Sequence, residues 1–160
     1  MAEPAGDHVG DQVSVEIVAT PEKVWAVVSD VTRMGEWSPV CRRCEWLEGW
    51  VGPEVGARFV GHNRQMGVRW SRECVITTFE PGRELAFETL FRGAPSTLWR
   101  YQLEPTESGT RVAESYEVLA MPQWVRAVRR VPGMRHRSQV QGRRGMQVTM
   151  ERIKATVEAP

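Results

Sequence analysis

The chain is expected to fold as an α+β protein in which a curved seven-stranded antiparallel sheet wraps around a long C-terminal helix, with two short helices after the first strand. Three observations carry that reading. After the Pro132-Gly133 break, Met146, Met150, Ile153 and Val157 recur at steps of four, three and four, one apolar stripe along a helix from Met134 to Val157. Between residues 13 and 119, alternating apolar side chains and turn signals mark one strand and then six more in direct succession. Successive hairpins make an antiparallel sheet with one covered face, and strong twist lets such a sheet close around a single helix. Traced back toward its N-terminus, the helical stripe passes through Gly142, Gln139, Ser138 and Arg135. Its buried face therefore turns from bulky to small and polar halfway along. A core helix that stops filling its core leaves a hole, so a cavity is expected there.

The 160 residues, 41% hydrophobic and 26% charged, read as one ordinary domain spanning 1–160, with 1–11 a loose N-terminal segment. A formal charge of +1 makes no overall case for nucleic acid or for a membrane surface. Residues 121–160 nevertheless hold nine Arg and Lys against two Glu, so a segment at +7 adjoins a body at −6. Such a division favours charge complementarity inside the molecule over an anionic partner. Met1 to Asp11 shows no secretory pattern, and no run approaches the roughly 20 apolar residues of a membrane span. Three cysteines, an odd count, fit free thiols in a reducing cytoplasm. Seven Trp against two Tyr suggest indole rings lining a partly open space, because Trp is rarely buried whole.

Val13, Val15 and Ile17 alternate with polar residues in the first strand. Thr20-Pro21 supplies an N-cap and a proline for the first helical position, and Val24, Trp25, Val28 and Val31 form the stripe of a helix over about 21–29. A second helical turn through Arg33 and Met34 is expected to end near Gly35. Two strands follow between Cys41 and Gly67, split by the Gly49–Gly56 turn region. Gly67–Phe79 is a long strand closed by Glu80-Pro81-Gly82-Arg83. Glu84–Phe91 and Ser96–Leu103 are strands split by Gly93-Ala94-Pro95. Pro105–Gly109 is a turn, Thr110–Leu119 the last strand, and Met121–Val131 a short helix ahead of the break.

Ala19-Thr20-Pro21-Glu22-Lys23-Val24-Trp25, then Ser29-Asp30 and Trp37-Ser38-Pro39, resemble the opening of the polyketide cyclase/dehydrase-like family of the START-like helix-grip (SRPBCC) superfamily. Pro81-Gly82-Arg83-Glu84-Leu85-Ala86-Phe87, Leu103-Glu104-Pro105 and Gly109-Thr110-Arg111-Val112 match its pattern in order, so the resemblance spans about residues 13–157. It implies a helix-grip fold whose cavity binds, carries or transforms a hydrophobic small molecule. Pro132-Gly133 departs from the pattern and implies a short helix set apart as a lid.

Strand phase sorts the candidate residues. Val112, Glu114, Tyr116 and Val118 share a face, and Trp99, Tyr101 and Leu103 form the matching apolar face next door. In the long strand Glu73, Val75, Thr77 and Phe79 compete with Trp70, Arg72, Cys74 and Ile76 for the inward side, and a bulge can mix the two sets. The resemblance favours the set with Val75, which brings Glu73 inside. Glu73 and Glu114 are then two cavity carboxylates, candidate acid/base groups whose pKa values rise in apolar surroundings. The plainer alternative is a buried Glu paired with an Arg, for which Arg135 is available, or capped by a Tyr hydroxyl. The expected ligand-binding set is Trp37, Phe59, Asn63, Phe87, Trp99, Tyr101, Tyr116, Arg135, Ser138, Gly142 and Met146. Trp37 either gates the cavity or packs the short helices onto the sheet. His62 and His136 fall on solvent faces. Cys41 and Cys44 form a CxxC, a metal or redox spacing, but positions i and i+3 of a regular strand face opposite sides and no second pair completes four ligands.

The expected function is binding of a hydrophobic or aromatic small molecule, lipid- or polyketide-like, in the cytoplasm, with no metal, no organic cofactor, no nucleic acid and no stable membrane insertion. A cofactor-independent cyclase or dehydratase working through the cavity carboxylates is the enzyme alternative. An interaction module presenting its basic C-terminal helices is the third. The oligomeric state stays open.

Overall fold

The computed structural model describes residues 10–160. Its strands are β1 Gly10–Ile17, β2 Cys41–Trp46, β3 Arg58–Gln65, β4 Val68–Glu80, β5 Glu84–Phe91, β6 Ala94–Thr106 and β7 Gly109–Val118. Its helices are α1 Pro21–Val28, α2 Met34–Trp37 (entered through a 3-10 turn, Val31–Arg33), α3 Gln123–Arg129 and α4 Met134–Glu158. The strands form one sheet in the order β1-β7-β6-β5-β4-β3-β2, every neighbouring pair antiparallel. This is the expected helix-grip α+β architecture, with β1 returning to pair beside β7.

Alternation decides the covered face. Ile17, Phe59, Ile76, Leu85, Phe87, Tyr101, Leu103 and Val112 are buried, and Met150, Ile153 and Val157 of α4 pack into the same core. Thr20 caps α1 by accepting a 3.4 Å hydrogen bond from the Lys23 amide, and Val24 and Val28 carry its buried side. The first strand begins earlier than its apolar alternation implies. Gly10 and Asp11, expected in a loose segment, pair with Glu117 and Tyr116 of β7, while residues 1–9 lie outside the described residues.

Three local expectations are corrected. Gly35 sits inside α2 instead of ending it: a Cβ there would stand 2.1 Å from the Arg42 carbonyl oxygen, so only glycine lets this turn press onto the start of β2. The β5–β6 connection is the two-residue turn Arg92-Gly93, with Ala94 already paired to Phe91 and Pro95 to Leu90 in the strand. In β4 the contest of phase is settled by a bulge between Ile76 and Thr78. Before it, Cys74 and Ile76 face the core; after it, Phe79 does, packed on Trp25 at 5.4 Å. Glu73 and Val75 therefore point to the outer face.

Residues 131–140 are exposed throughout, whereas Met146, Thr149, Met150, Ile153 and Val157 are buried. The sheet thus grips α4 by its C-terminal half. Gly133, at φ 85°, joins α3 to α4 through a left-handed conformation that costs glycine little.

Candidate functional site

Where the α4 stripe turns small, a cavity of about 940 Å³ lies between the helix and the inner face of the sheet. Ser138, Gly142 and Met146 line it from α4, together with Gln141, Gly145 and Thr149. Phe59, Asn63, Phe87, Trp99, Tyr101 and Glu114 line it from the sheet. Trp124 and Val125 of α3 border one end, and Trp124 keeps 69% of its surface exposed. The walls are mostly rings and aliphatic groups. Phe59 meets Phe87 edge-on at 5.3 Å, and Trp99 lies 5.4 Å from Tyr116.

Glu114 is the sharpest polar feature. It stands directly across from Tyr101 in the β6–β7 pairing, and the Tyr101 hydroxyl donates to its Oε1 at 2.8 Å. Its Oε2 is buried with no hydrogen-bond partner among the described residues. Burial pushes the Glu114 carboxyl up to about 8, against a smaller lowering by the tyrosine hydroxyl. At neutral pH the group is then mainly the neutral acid: Oε1 accepts from Tyr101 and Oε2–H is a spare donor. Burial, and next the neighbouring carboxyl, hold the Tyr101 phenol well above its ordinary pKa.

Four expected site residues do not line the cavity. Glu73 sits on the outer face of β4, about a third exposed and paired with the Arg58 guanidinium across the β3–β4 ladder. Trp37 is buried in the core beneath α2, its ring 5.5 Å from the Arg33 guanidinium. Tyr116 packs beside the cavity, not in its lining: its ring is tilted against Trp99 at 5.4 Å, and a Cβ at Gly142 would lie 3.4 Å from its hydroxyl. Arg135 falls in the exposed first turns of α4 and is not among the residues that line the cavity. Among the described residues the carboxyl is capped by the Tyr101 hydroxyl. His62 keeps to the outer face, bonded to Ser71 and Glu45 at 2.9 Å each.

Several lining groups escaped the sequence reading. Cys41, Cys44 and Cys74 all face the cavity, as do Trp70 and Arg72 of β4, whose guanidinium lies 5.3 Å from the Phe91 ring. A correct phase for β4 would have found the last three. The hydroxyls of Thr89 and Ser96, 3.1 Å apart, add a small polar spot on β5 and β6.

A curved antiparallel sheet closed on a C-terminal helix, with a largely apolar cavity between them, defines a helix-grip protein. The chain belongs to the polyketide cyclase / dehydrase and lipid transport family, whose profile matches residues 12–158. It is 32% identical to a polyketide-cyclase-like protein of Corynebacterium glutamicum whose solution structure covers 96% of this chain and 93% of its own, with a TM-score of 0.65. The di-domain ARO/CYC StfQ from the steffimycin biosynthetic pathway shares the fold at 14% identity and a TM-score of 0.72, over 94% of this chain and 51% of that one. Uncharacterised proteins from two strains of Mycobacterium tuberculosis are 25% identical over 112 residues, 67% of this chain and 74% of theirs. Among the described residues no helix is long and apolar enough to cross a membrane, and no cluster of three or more His, Cys, Asp or Glu is placed to hold a metal ion.

Proposed function

We propose that this protein binds a hydrophobic or aromatic small molecule, lipid- or polyketide-like, that sets one hydrogen-bond acceptor against Glu114. The observation that carries the reading is a buried carboxyl with an unpartnered oxygen in the wall of an otherwise largely apolar cavity. A buried polar atom without a partner costs about 1–3 kcal/mol, which a ligand carbonyl or phenol oxygen would recover. A cavity of about 940 Å³ falls within the range of small-molecule sites, roughly 300–1,000 Å³. Tyr101 fixes the carboxyl, and Phe59, Phe87 and Trp99 supply flat apolar contact. Free thiols at all three cysteines fit a reducing cytoplasm. Native mass spectrometry of protein purified from its own host tests the reading: an apolar molecule carrying an oxygen acceptor should co-purify and be lost from Glu114→Ala.

The raised pKa of Glu114 favours a second reading, a cyclase or dehydratase that needs no cofactor. The neutral acid would protonate a substrate carbonyl or departing hydroxyl, and the resulting carboxylate would take a proton back, with Tyr101 holding the geometry. Glu114→Gln separates the two. A carrier keeps its affinity within a few-fold, whereas an enzyme loses roughly 10²–10⁴-fold in turnover with binding retained.

A further inference from the structure

The CxxC pair expected on opposite faces of its strand lies on one face. β2 carries a register shift between Cys41 and Arg43, and that extra residue turns position i+3 back to the side of position i. The two sulfurs stand 3.4 Å apart, both residues buried in the cavity wall. The facing strand is bare at this point. Cys44 pairs with Gly61, and a Cβ on that glycine would lie 3.7 and 3.8 Å from the Cys44 and Cys41 sulfurs. Cys74 lines the same cavity, but its Sγ bonds to the Arg72 carbonyl at 3.8 Å.

We propose that Cys41 and Cys44 form a reversible dithiol–disulfide site in the cavity wall, oxidised by small hydroperoxides that reach it through the cavity. The two thiols are unequal. The contact between the two sulfurs, in which either can donate, holds the Cys41 pKa below its ordinary value, while that contact and burial push Cys44 far up. Cys41 is therefore the attacking sulfur. Its thiolate attacks one peroxide oxygen, the O–O bond breaks, and the leaving hydroxide takes up a proton as water. The Cys41 sulfenic acid so formed is attacked by the Cys44 sulfur. The S–S bond forms, the S–O bond breaks, and a second water leaves with the Cys44 proton. In sum two thiols lose two protons and two electrons, and one hydrogen peroxide becomes two waters. A dithiol reductant reverses the step.

The sequence itself supplies the assay. Arg42 and Arg43 lie between the two cysteines, so trypsin separates them unless a disulfide holds the fragments together. The folded full-length chain is treated with a few equivalents of hydrogen peroxide, alkylated, digested and weighed. The expected product is a Cys41–Cys44 cross-linked pair two hydrogens lighter than its reduced parts, abolished by dithiothreitol, with Cys74 recovered alkylated. Separate alkylated or over-oxidised Cys41 and Cys44 peptides, or a cross-link through Cys74, would overturn the proposal. A second arm does not depend on oxidation. Phenylarsine oxide should bind the reduced wild type and Cys74→Ser at one equivalent, and should fail to bind Cys41→Ser or Cys44→Ser. Binding that survives both of those substitutions, or none to the wild type, would sink it. Neither arm uses the cavity ligand, so the outcome is separate from that of the ligand-binding reading.

Discussion

The Tyr101 hydroxyl and Glu114 Oε1 are 2.8 Å apart across the β6–β7 ladder, in the wall of the cavity. This bond both stabilises the pair and lowers the carboxyl pKa against the stronger effect of burial. Tyr101→Phe should cost about 1–2 kcal/mol in urea unfolding, the penalty of a lost buried bond. It should also raise the Glu114 titration further, because the hydroxyl that lowers it is gone. Carboxyl ¹³C NMR across pH 5–10 reads the shift, and a downward move would mean that tyrosine does not support the charged form.

Glu114 should give the protein an inverted carboxyl dependence on pH. Its folded pKa of about 8 exceeds the ordinary 4.5, so the folded state holds the proton more tightly. The stabilisation is complete below pH 4.5 and is lost as pH rises through about 8. The ceiling is roughly 5 kcal/mol for one such group. Urea midpoints at pH 5 and pH 8 should fall with pH for the wild type and fall less for Glu114→Gln. Equal slopes would place the titration elsewhere.

Gly142 lines the cavity with its Cβ position 3.4 Å from the Tyr116 hydroxyl. Gly142→Ala should stabilise the fold by up to about 1 kcal/mol through helix propensity, provided the tyrosine yields slightly. Gly142→Leu should project into the space and abolish uptake of a fluorescent apolar probe such as anilinonaphthalene sulfonate. Undiminished uptake by the folded Leu variant would show that the probe sits elsewhere.

Glu73 makes a useful contrast with Glu114. It is paired with Arg58 on the outer face and is about a third exposed, so Glu73→Gln should cost less than about 1 kcal/mol. Probe affinity, and any turnover, should be unchanged. A tenfold loss of either would require the β4 phase to differ from the one described.

The segment carrying α3 presents Trp124, Val128 and Val131 to solvent at 69%, 43% and 54% exposure, with Arg126, Arg129 and Arg130 interleaved. A lid that closes the cavity and a face that lies on anionic lipid both fit this pattern. Trp124 and Val125 border the cavity and Gly133 supplies a joint behind them, which favours the lid. Trp124→Ala should then speed probe release several-fold, and vesicles rich in phosphatidylserine should not retain the protein at physiological salt. Each arginine near such headgroups would add about 1 kcal/mol, so strong salt-sensitive co-sedimentation would identify a membrane face.

Much of this arrangement is legible in the chain because it depends on neighbours in sequence. The strands, α1 with its Thr20 cap, the α4 stripe and its decay through Gly142 follow from local periodicity. The phases of β6 and β7 are equally local, which places Tyr101 and Glu114 on one face. The fates of Glu73, Cys41 and Cys44 were not readable this way. Each depends on a bulge, a single surplus residue whose position is set by register with the adjoining strand.

The chain by itself determined that a sheet would surround a helix whose first half leaves its core unfilled, because side-chain size and period act within one element. Only the tertiary structure decided which atoms face that space. It set Glu73 outward and brought two sulfurs to 3.4 Å, because one inserted residue inverts every side chain beyond it and pairing with a distant strand chooses where it falls.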